Sequence, residues 1–439
     1  MRHYLIYLLC LLASSGLLAR EYDLQEMIRL AESGNKEIRL AKADLKAASA
    51  EKLDAFSQAL PKINVVGNYN RNLQENVLYF TQDFATGATL DEPIKIPISF
   101  NNEYALNAVL TQTLFSFKVG YAIQAARYLN KLTENTFEAT RQQVVATVKT
   151  SFYQTLLLKK VWEVAQDAQS SAEENFQNQK LKFDSGRISE FELLQAEVRW
   201  QNSMPETIRA RQQYQASLNN LKVLVGIPVS EEISLNGNLD RFPEVPSGTT
   251  LEDIKSVRPD FNALMWEKKL RQKNVSAMRS EFLPSLEGSL TYTYSAQSDE
   301  FKLEQENDNI IVGLSLNIPV FSGGSRIAGV KRANADVEKV STRLAQAEDN
   351  IEVQLQNIQL QLQESRQRIE ASHKAVESAS RAFQIAETRA QNGLSTQVEL
   401  KDSRVALDQA QVGYYGAIYD YLASYFSWEV ATGRVSNTF

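Results

Sequence analysis

Histidine and cysteine, the side chains most used for nucleophilic and metal chemistry, are scarce in this chain. Its 439 residues include two histidines, His3 and His373, and one cysteine, Cys10. His3 and Cys10 fall within the first nineteen residues, where Arg2 gives a positive start, Tyr4 to Leu12 form an apolar run and Ser14 to Ala19 are mostly small. That pattern reads as a secretory signal peptide over residues 1–19. Cys10 has Leu9 before it inside the apolar run, so no lipid-anchor site is read there. A chain processed after residue 19 keeps His373 and no thiol, which removes disulfides, thiolate nucleophiles and His/Cys metal cages. A Ser-His-Asp triad would rest on one histidine in a helical pattern. The expectation is a protein that is not an enzyme and carries no cofactor and no metal. The 53 Asp and Glu leave room for a carboxylate-based hydrolase, but no motif points to one. With 47 Lys and Arg and a net charge of −6, the chain also lacks the basic excess of a nucleic-acid binder.

The elements that would position any site are set out by proline, which removes a backbone donor and breaks helix interiors. None occurs from 121 to 204 or from 320 to 439, and glycine is sparse in both stretches. Two helical regions of about a hundred residues follow, far beyond the usual ~10–14 residues, and helices this long need partners. In the second region Val337, Val340, Leu344, Ala347, Ile351, Leu355, Ile358 and Leu362 recur at steps of three and four, a coiled-coil seam. The window 351–363 also alternates in a strand-like way, but its helical flanks decide for helix.

Internal repeats organise the rest. Leu60-Pro61 recurs as Leu283-Pro284, Phe115-Ser116 as Phe321-Ser322, Gly186 as Gly393 and Val225-Gly226 as Thr432-Gly433, at offsets of 223, 206, 207 and 207. One supersecondary unit is used twice, with a longer loop in the first copy. The expected organisation is a first repeat over 20–226, a linker or equatorial region over 227–250, a second repeat over 251–433 and a short tail over 434–439. Each repeat holds a helix (Glu21 to Ala59; Leu251 to Phe282), a β-hairpin (about 61–115; about 284–320) and a long helical hairpin turning at Gly186 or Gly393. Within the first β-hairpin, strands Lys62 to Tyr69 and Tyr104 to Leu114 flank a long loop, Asn70 to Glu103. Tyr69, Tyr104, Phe115, Tyr292, Tyr294 and Phe321 sit toward strand ends, as in a membrane girdle or in an ordinary sandwich. The runs are long enough to cross a bilayer as tilted strands of ~9–11 residues. Hydrocarbon offers no partner to an open sheet edge, so four strands cannot close a barrel and several chains must contribute.

These residues resemble the TolC-type outer-membrane efflux and secretion channels over essentially the whole processed chain. The resemblance is carried by Val312 to Gly324 with Ala328, Val330 and Ala333, by Leu110 to Ser116 with Ala122, Ala125 and Ala126, and by the two turn motifs Lys182 to Glu197 and Arg389 to Asp402. It implies a mainly α fold with a small β part, in which tandem long α-hairpins form a coiled-coil tunnel and the β-hairpins complete a trimeric twelve-stranded barrel. It further implies a passive duct in the outer membrane, extending into the periplasm. The implied partners are two further copies, a periplasmic adaptor, an inner-membrane transporter and outer-membrane lipid. The turns Gly186, Arg187, Ile188, Ser189 and Gly393, Leu394, Ser395 would dock the adaptor. Glu399 and Asp402, six and nine residues past the second turn glycine, would form an acidic constriction with help from Glu192. Where some relatives carry a latch arginine this chain has Ser395. Pro319, Gly323 and Gly324 mark the change from strand to helix, and Ser189 or Ser395 is available to cap the helix after each turn. An exported coiled-coil scaffold is the competing reading; it accounts for the heptads and leaves the two hairpins without a purpose.

Overall fold

The computed structural model describes residues 20–82, 85–244, 250–392 and 394–436. The signal-peptide segment 1–19, Gly393 and the last three residues of the tail lie outside the described residues. In the first repeat, β1 (Arg20–Tyr22), α1 (Leu24–Gly34) and α2 (Lys36–Ser57) lead to β2 (Lys62–Arg71), β3 (Val77–Gln82), β4 (Thr89–Pro97) and β5 (Asn102–Phe115). The helical hairpin α3 (Phe117–Asp184) and α4 (Glu190–Val225) completes it. After β6 (Ile233–Leu235), the second repeat runs through α5 (Leu251–Val257), α6 (Pro259–Ser280), β7 (Ser285–Ser298), β8 (Asn307–Asn317), α7 (Ser325–Gln391) and α8 (Gln397–Thr432). The chain divides into two compact units, one built from residues 46–131 and 266–341 and the other from the remainder.

The β-bearing unit holds one antiparallel sheet in the order β2-β5-β7-β8. The two repeats join where β5 pairs with β7, from Asn102 opposite Ser298 onward. Strand side chains alternate between faces. The register therefore aligns Ile63 with Leu110 and Leu290, and Leu290 with Val312, on one apolar face. Asn64, Asn107, Thr293 and Asn309 belong to the opposite, polar face. The apolar face is open to its surroundings, with Ile63, Val312 and Leu314 all well exposed. The outer edges of β2 and β8 have no strand partner among the described residues.

Two expectations about this unit need correction. The segment Asn70 to Glu103 is not a plain loop: β3 and β4 pair as an antiparallel ribbon, Leu78 opposite Ile96 and Phe80 opposite Ile94. The two prolines masked this strand signal, because Pro93 and Pro97 lie on an edge where a missing donor costs nothing. Tyr292 lies in the middle of β7, not at its end. The aromatic cluster at the far end is Tyr69 against Tyr104 at 5.1 Å, with Phe301 edge-on to Tyr69 at 5.7 Å.

The other unit is centred on an apolar core drawn from α1, α3, α4, β6, α7 and α8, including Phe152, Leu221, Ile358, Leu362, Tyr421 and Phe426. The predicted seam is packed as spacing demands, with Val340, Leu344, Ile351, Ile358 and Leu362 buried in one continuous helix. The helices before the strands differ from expectation, since each is broken. Asn35 interrupts the first, donating Nδ2 to the Leu224 carbonyl at 2.8 Å while its Oδ1 accepts from the Glu37 and Ile38 amides. Arg258 interrupts the second ahead of Pro259, donating Nη1 to the Ala431 carbonyl at 3.1 Å and Nε to Asp260 at 2.8 Å. Leu224 and Ala431 are related by the same repeat offset of 207. Each orphan carbonyl at the end of a return helix is thus met by a side chain from the break of a short helix. The return helices close with Gly226 at φ +84° and Gly433 at φ +68°. A Cβ on Gly433 would lie 2.9 Å from the Arg258 Cα, so a left-handed residue without a side chain is needed on both counts.

One ion pair is sealed inside this core. Lys149 Nζ donates to Glu429 Oε2 at 2.7 Å, with side chains 0% and 3% exposed. Ser436 Oγ donates to Glu429 Oε1 at 2.8 Å, and the ammonium lies 5.2 Å from the Phe426 ring centre. Burial pushes the Lys149 ammonium below its ordinary value, and the bond to Glu429 offsets part of that. Glu429→Ala should cost about 3–5 kcal/mol in denaturant unfolding, because it strands a buried charge. The double variant K149M/E429L should recover most of that loss; equal losses in both would show that packing, not charge pairing, governs the site.

Candidate channel mouth at the tip turns

The two turns are built alike from backbone rules. Gly186, at φ +72°, ends α3 with its amide bonded to the Phe183 carbonyl at 2.8 Å, while the Arg187 amide reaches back to Lys182 at 2.9 Å. This is the pattern of a helix closed by a left-handed glycine. The Leu394 amide makes the equivalent bond to the Arg389 carbonyl at 2.8 Å. Ser189 then caps α4: its Oγ accepts from the Glu192 amide, and Glu192 Oε2 accepts from the Ser189 amide at 2.9 Å. In the second repeat the cap is Thr396, not Ser395 as expected, with Glu399 as its reciprocal partner. The repeat offset explains this, since Ser189 maps onto Thr396. Ser395 instead donates its hydroxyl to Glu399 Oε2 at 2.6 Å.

The candidate acidic residues are therefore partly committed to helix ends. Glu192 and Glu399 are both capping-box carboxylates, and both are exposed. The Ser395 hydroxyl and the Thr396 amide hold the Glu399 carboxyl below the usual glutamate range, so it stays ionised in mild acid. Asp402 lies three residues further on, exposed on the same face of α8. The matching place in the first repeat is Gln195, so the acidic pair belongs to the second repeat alone.

The hairpins are tied together beside the turns. Asn175 Nδ2 donates to Gln397 Oε1 at 2.8 Å, and Lys182 Nζ donates to the Ala390 carbonyl at 3.3 Å. Farther from the turns, Arg404 donates to Asp408 at 2.8 Å and lies over the Phe383 ring. Burial raises the Asp408 carboxyl and lowers the half-buried Arg199 guanidinium nearby. The reading of the sequence also passed over an apolar groove of about 520 Å³ beside the turns, lined by Phe191, Leu194, Val198 and Val398 with Lys401. Its signal was present: 191, 194 and 198 are at helical spacing, and Phe191 is 67% exposed. Ile188 is half-buried, whereas Arg187 and Leu394 are exposed. At the other end of α7, Pro319 lies between β8 and the helix, followed by Gly323 and Gly324 at φ +61° and +86°, two consecutive left-handed residues at the turn into the helix.

Duplicated long helical hairpins, each following a β-hairpin of one sheet with an apolar and a polar face, define a class of outer-membrane channel proteins. The chain belongs to the outer membrane efflux protein family, which it matches over residues 27–227 and 250–434. The alkaline protease secretion protein AprF of Pseudomonas aeruginosa is 26% identical over 54% of this chain, a match that spans half of that relative. The outer membrane protein TolC of Vibrio cholerae is 20% identical over 94% of this chain and 91% of its own. Among solved structures, the Campylobacter jejuni CmeC outer membrane channel superposes with a TM-score of 0.79 at 20% identity, covering 95% of this chain and 87% of that one. The likeness fixes the fold of each hairpin and the sheet.

Thr396→Ala should weaken the start of α8 by about 1 kcal/mol, the usual worth of an N-cap. Amide exchange at Glu399 and Leu400 should quicken roughly fivefold, and Ser395→Ala should leave it nearly unchanged. The reverse ranking would show that Ser395 is the cap.

Proposed function

We propose that three copies of this chain form a passive exit duct across the outer membrane and periplasm, serving a tripartite efflux or type I secretion system with a periplasmic adaptor and an inner-membrane transporter. The observation that carries this reading is the sheet, with one face apolar and exposed, one face polar, and two edge strands lacking partners. Within hydrocarbon every backbone donor and acceptor needs a partner, so β8 of one copy must pair with β2 of the next. Three copies give twelve strands, with the apolar face toward lipid and the polar face toward a water-filled lumen. The names of the relatives, a protease secretion protein and an outer membrane protein, suit such a conduit.

In this reading Glu399 and Asp402 from three copies line the closed mouth, and Glu192 holds the first-repeat turn beside it. Rings of carboxylates in a narrow opening favour cations and bind multivalent ones as blockers. The turns Gly186, Arg187, Ile188, Ser189 and Gly393, Leu394, Ser395 meet the adaptor, and the exposed groove at Phe191 and Val398 adds apolar area to that contact.

E399Q/D402N removes both charges while a glutamine at 399 can still complete the capping box. In planar bilayers this variant should lose cation selectivity and bind a trivalent blocker roughly tenfold more weakly. The Ser395 and Thr396 bonds favour the charged form of Glu399, whereas the other carboxylates gathered at the mouth would oppose it. Wild-type selectivity and block in the variant would place the constriction elsewhere. Gly186→Trp with Gly393→Trp should abolish export while trimers remain in the membrane, and normal export in that variant would remove the turns from docking.

A further inference from the structure

Four segments converge where the sheet gives way to helices: the start of α3, the end of α6 leading into β7, the end of β8 and the start of α7. Between them is a polar cavity of about 280 Å³, whose lining includes Ser116, Lys118, Glu281, Ser285, Asn317 and Arg326. Lys118 and Glu281 neutralise one another at 2.8 Å. Arg326 makes no hydrogen bond or ion pair among the described residues, so the cavity holds one unbalanced guanidinium.

The positive charge is not explained by helix stability. An acid in the first turn favours a helix, because the amino end carries a partial positive charge. Every other described helix has an acid there, whereas α3 and α7 have none and place Lys118 and Arg326 in that turn. Beside the cavity lies apolar surface that water does not favour. Val320 is 91% and Phe321 87% exposed, and Phe115 and Phe117, both exposed, stack edge to face at 4.9 Å.

We propose that this cavity binds the phosphate of an anionic glycerophospholipid from the periplasmic leaflet of the outer membrane, with the acyl chains lying along Val320 and Phe321. The inference rests on the outer-membrane reading of the sheet. Arginine matches phosphate oxygens through its planar fork, and the neighbouring hydroxyls and Asn317 suit glycerol oxygens. A basic pocket at a membrane boundary is the expected recogniser of a lipid headgroup. A free phosphate ion would satisfy the guanidinium but leave the apolar surface in water; the combination commits the site to lipid.

Native mass spectrometry of the detergent-purified, delipidated full-length protein tests this. Titration with phosphatidylglycerol should load one lipid per chain on the unaltered protein. Arg326→Gln should weaken loading roughly fivefold, the worth of one basic residue near an anionic surface. Phe321→Ser should weaken it too, although it touches no charge. Equal loading in Arg326→Gln and unaltered protein, or no loading of the unaltered protein, would overturn the proposal. Displacement by inorganic phosphate at equal concentration would overturn it in favour of a free-anion site. The same spectra report the oligomer: a folded monomer would count against the duct while the lipid comparison still reads out on its own.

Discussion

Backbone hydrogen bonding between strands is the constraint on which the β-bearing unit depends. Four strands in the order β2-β5-β7-β8 satisfy three ladders and leave two edges. Among the described residues the other strands do not remove them, because β3 and β4 pair only with each other and β1 only with β6. β8 carries a single charge, Asp308, and exposes Ile310, Val312, Leu314 and Leu316. Natural edges left in water usually carry lysine, proline or a bulge to prevent pairing. β8 has none of these, as suits an edge that the proposed duct pairs with β2 of the next copy.

Duplication sets the frame within which the two repeats diverge. Both copies meet the end of the return helix with a side chain from the break in the preceding short helix, but Asn35 does so as a neutral amide and Arg258 as a cation also held by Asp260. At the turns both copies use a capping box, serine-based in one and threonine-based in the other. The backbone geometry is what has been kept. The side chains are free to differ wherever another donor reaches the same carbonyl or amide.

Much of this was legible in the residues. The coiled-coil seam around Ile351 and Ile358, the strand alternation of β7 and β8 and the 207-residue offset were all visible, because periodicity and repetition report packing directly. What was not legible depended on tertiary contact. The breaks at Asn35 and Arg258 have local signals in Gly34-Asn35 and Arg258-Pro259, but the carbonyls they answer to lie 189 and 173 residues away. The ribbon of β3 and β4 was hidden by prolines that only an edge tolerates. Ser395 was preferred to Thr396 as a cap because both types suit the role, and only the offset separates them. At the second turn, the bonds that Glu399 makes to Ser395 and Thr396 came from the structure.

The buried pair of Lys149 and Glu429 has a bearing on biosynthesis. Lys149 is synthesised 280 residues before Glu429 and 287 before Ser436. Until those residues emerge, the segment around Lys149 can pack its apolar neighbours only by enclosing an unpaired ammonium, which is strongly unfavourable. The core around Phe152 and Phe426 is therefore closed to a chain interrupted before Glu429. A single ion pair thus ties closure of the core around α3 to residues of α8 and the segment after it.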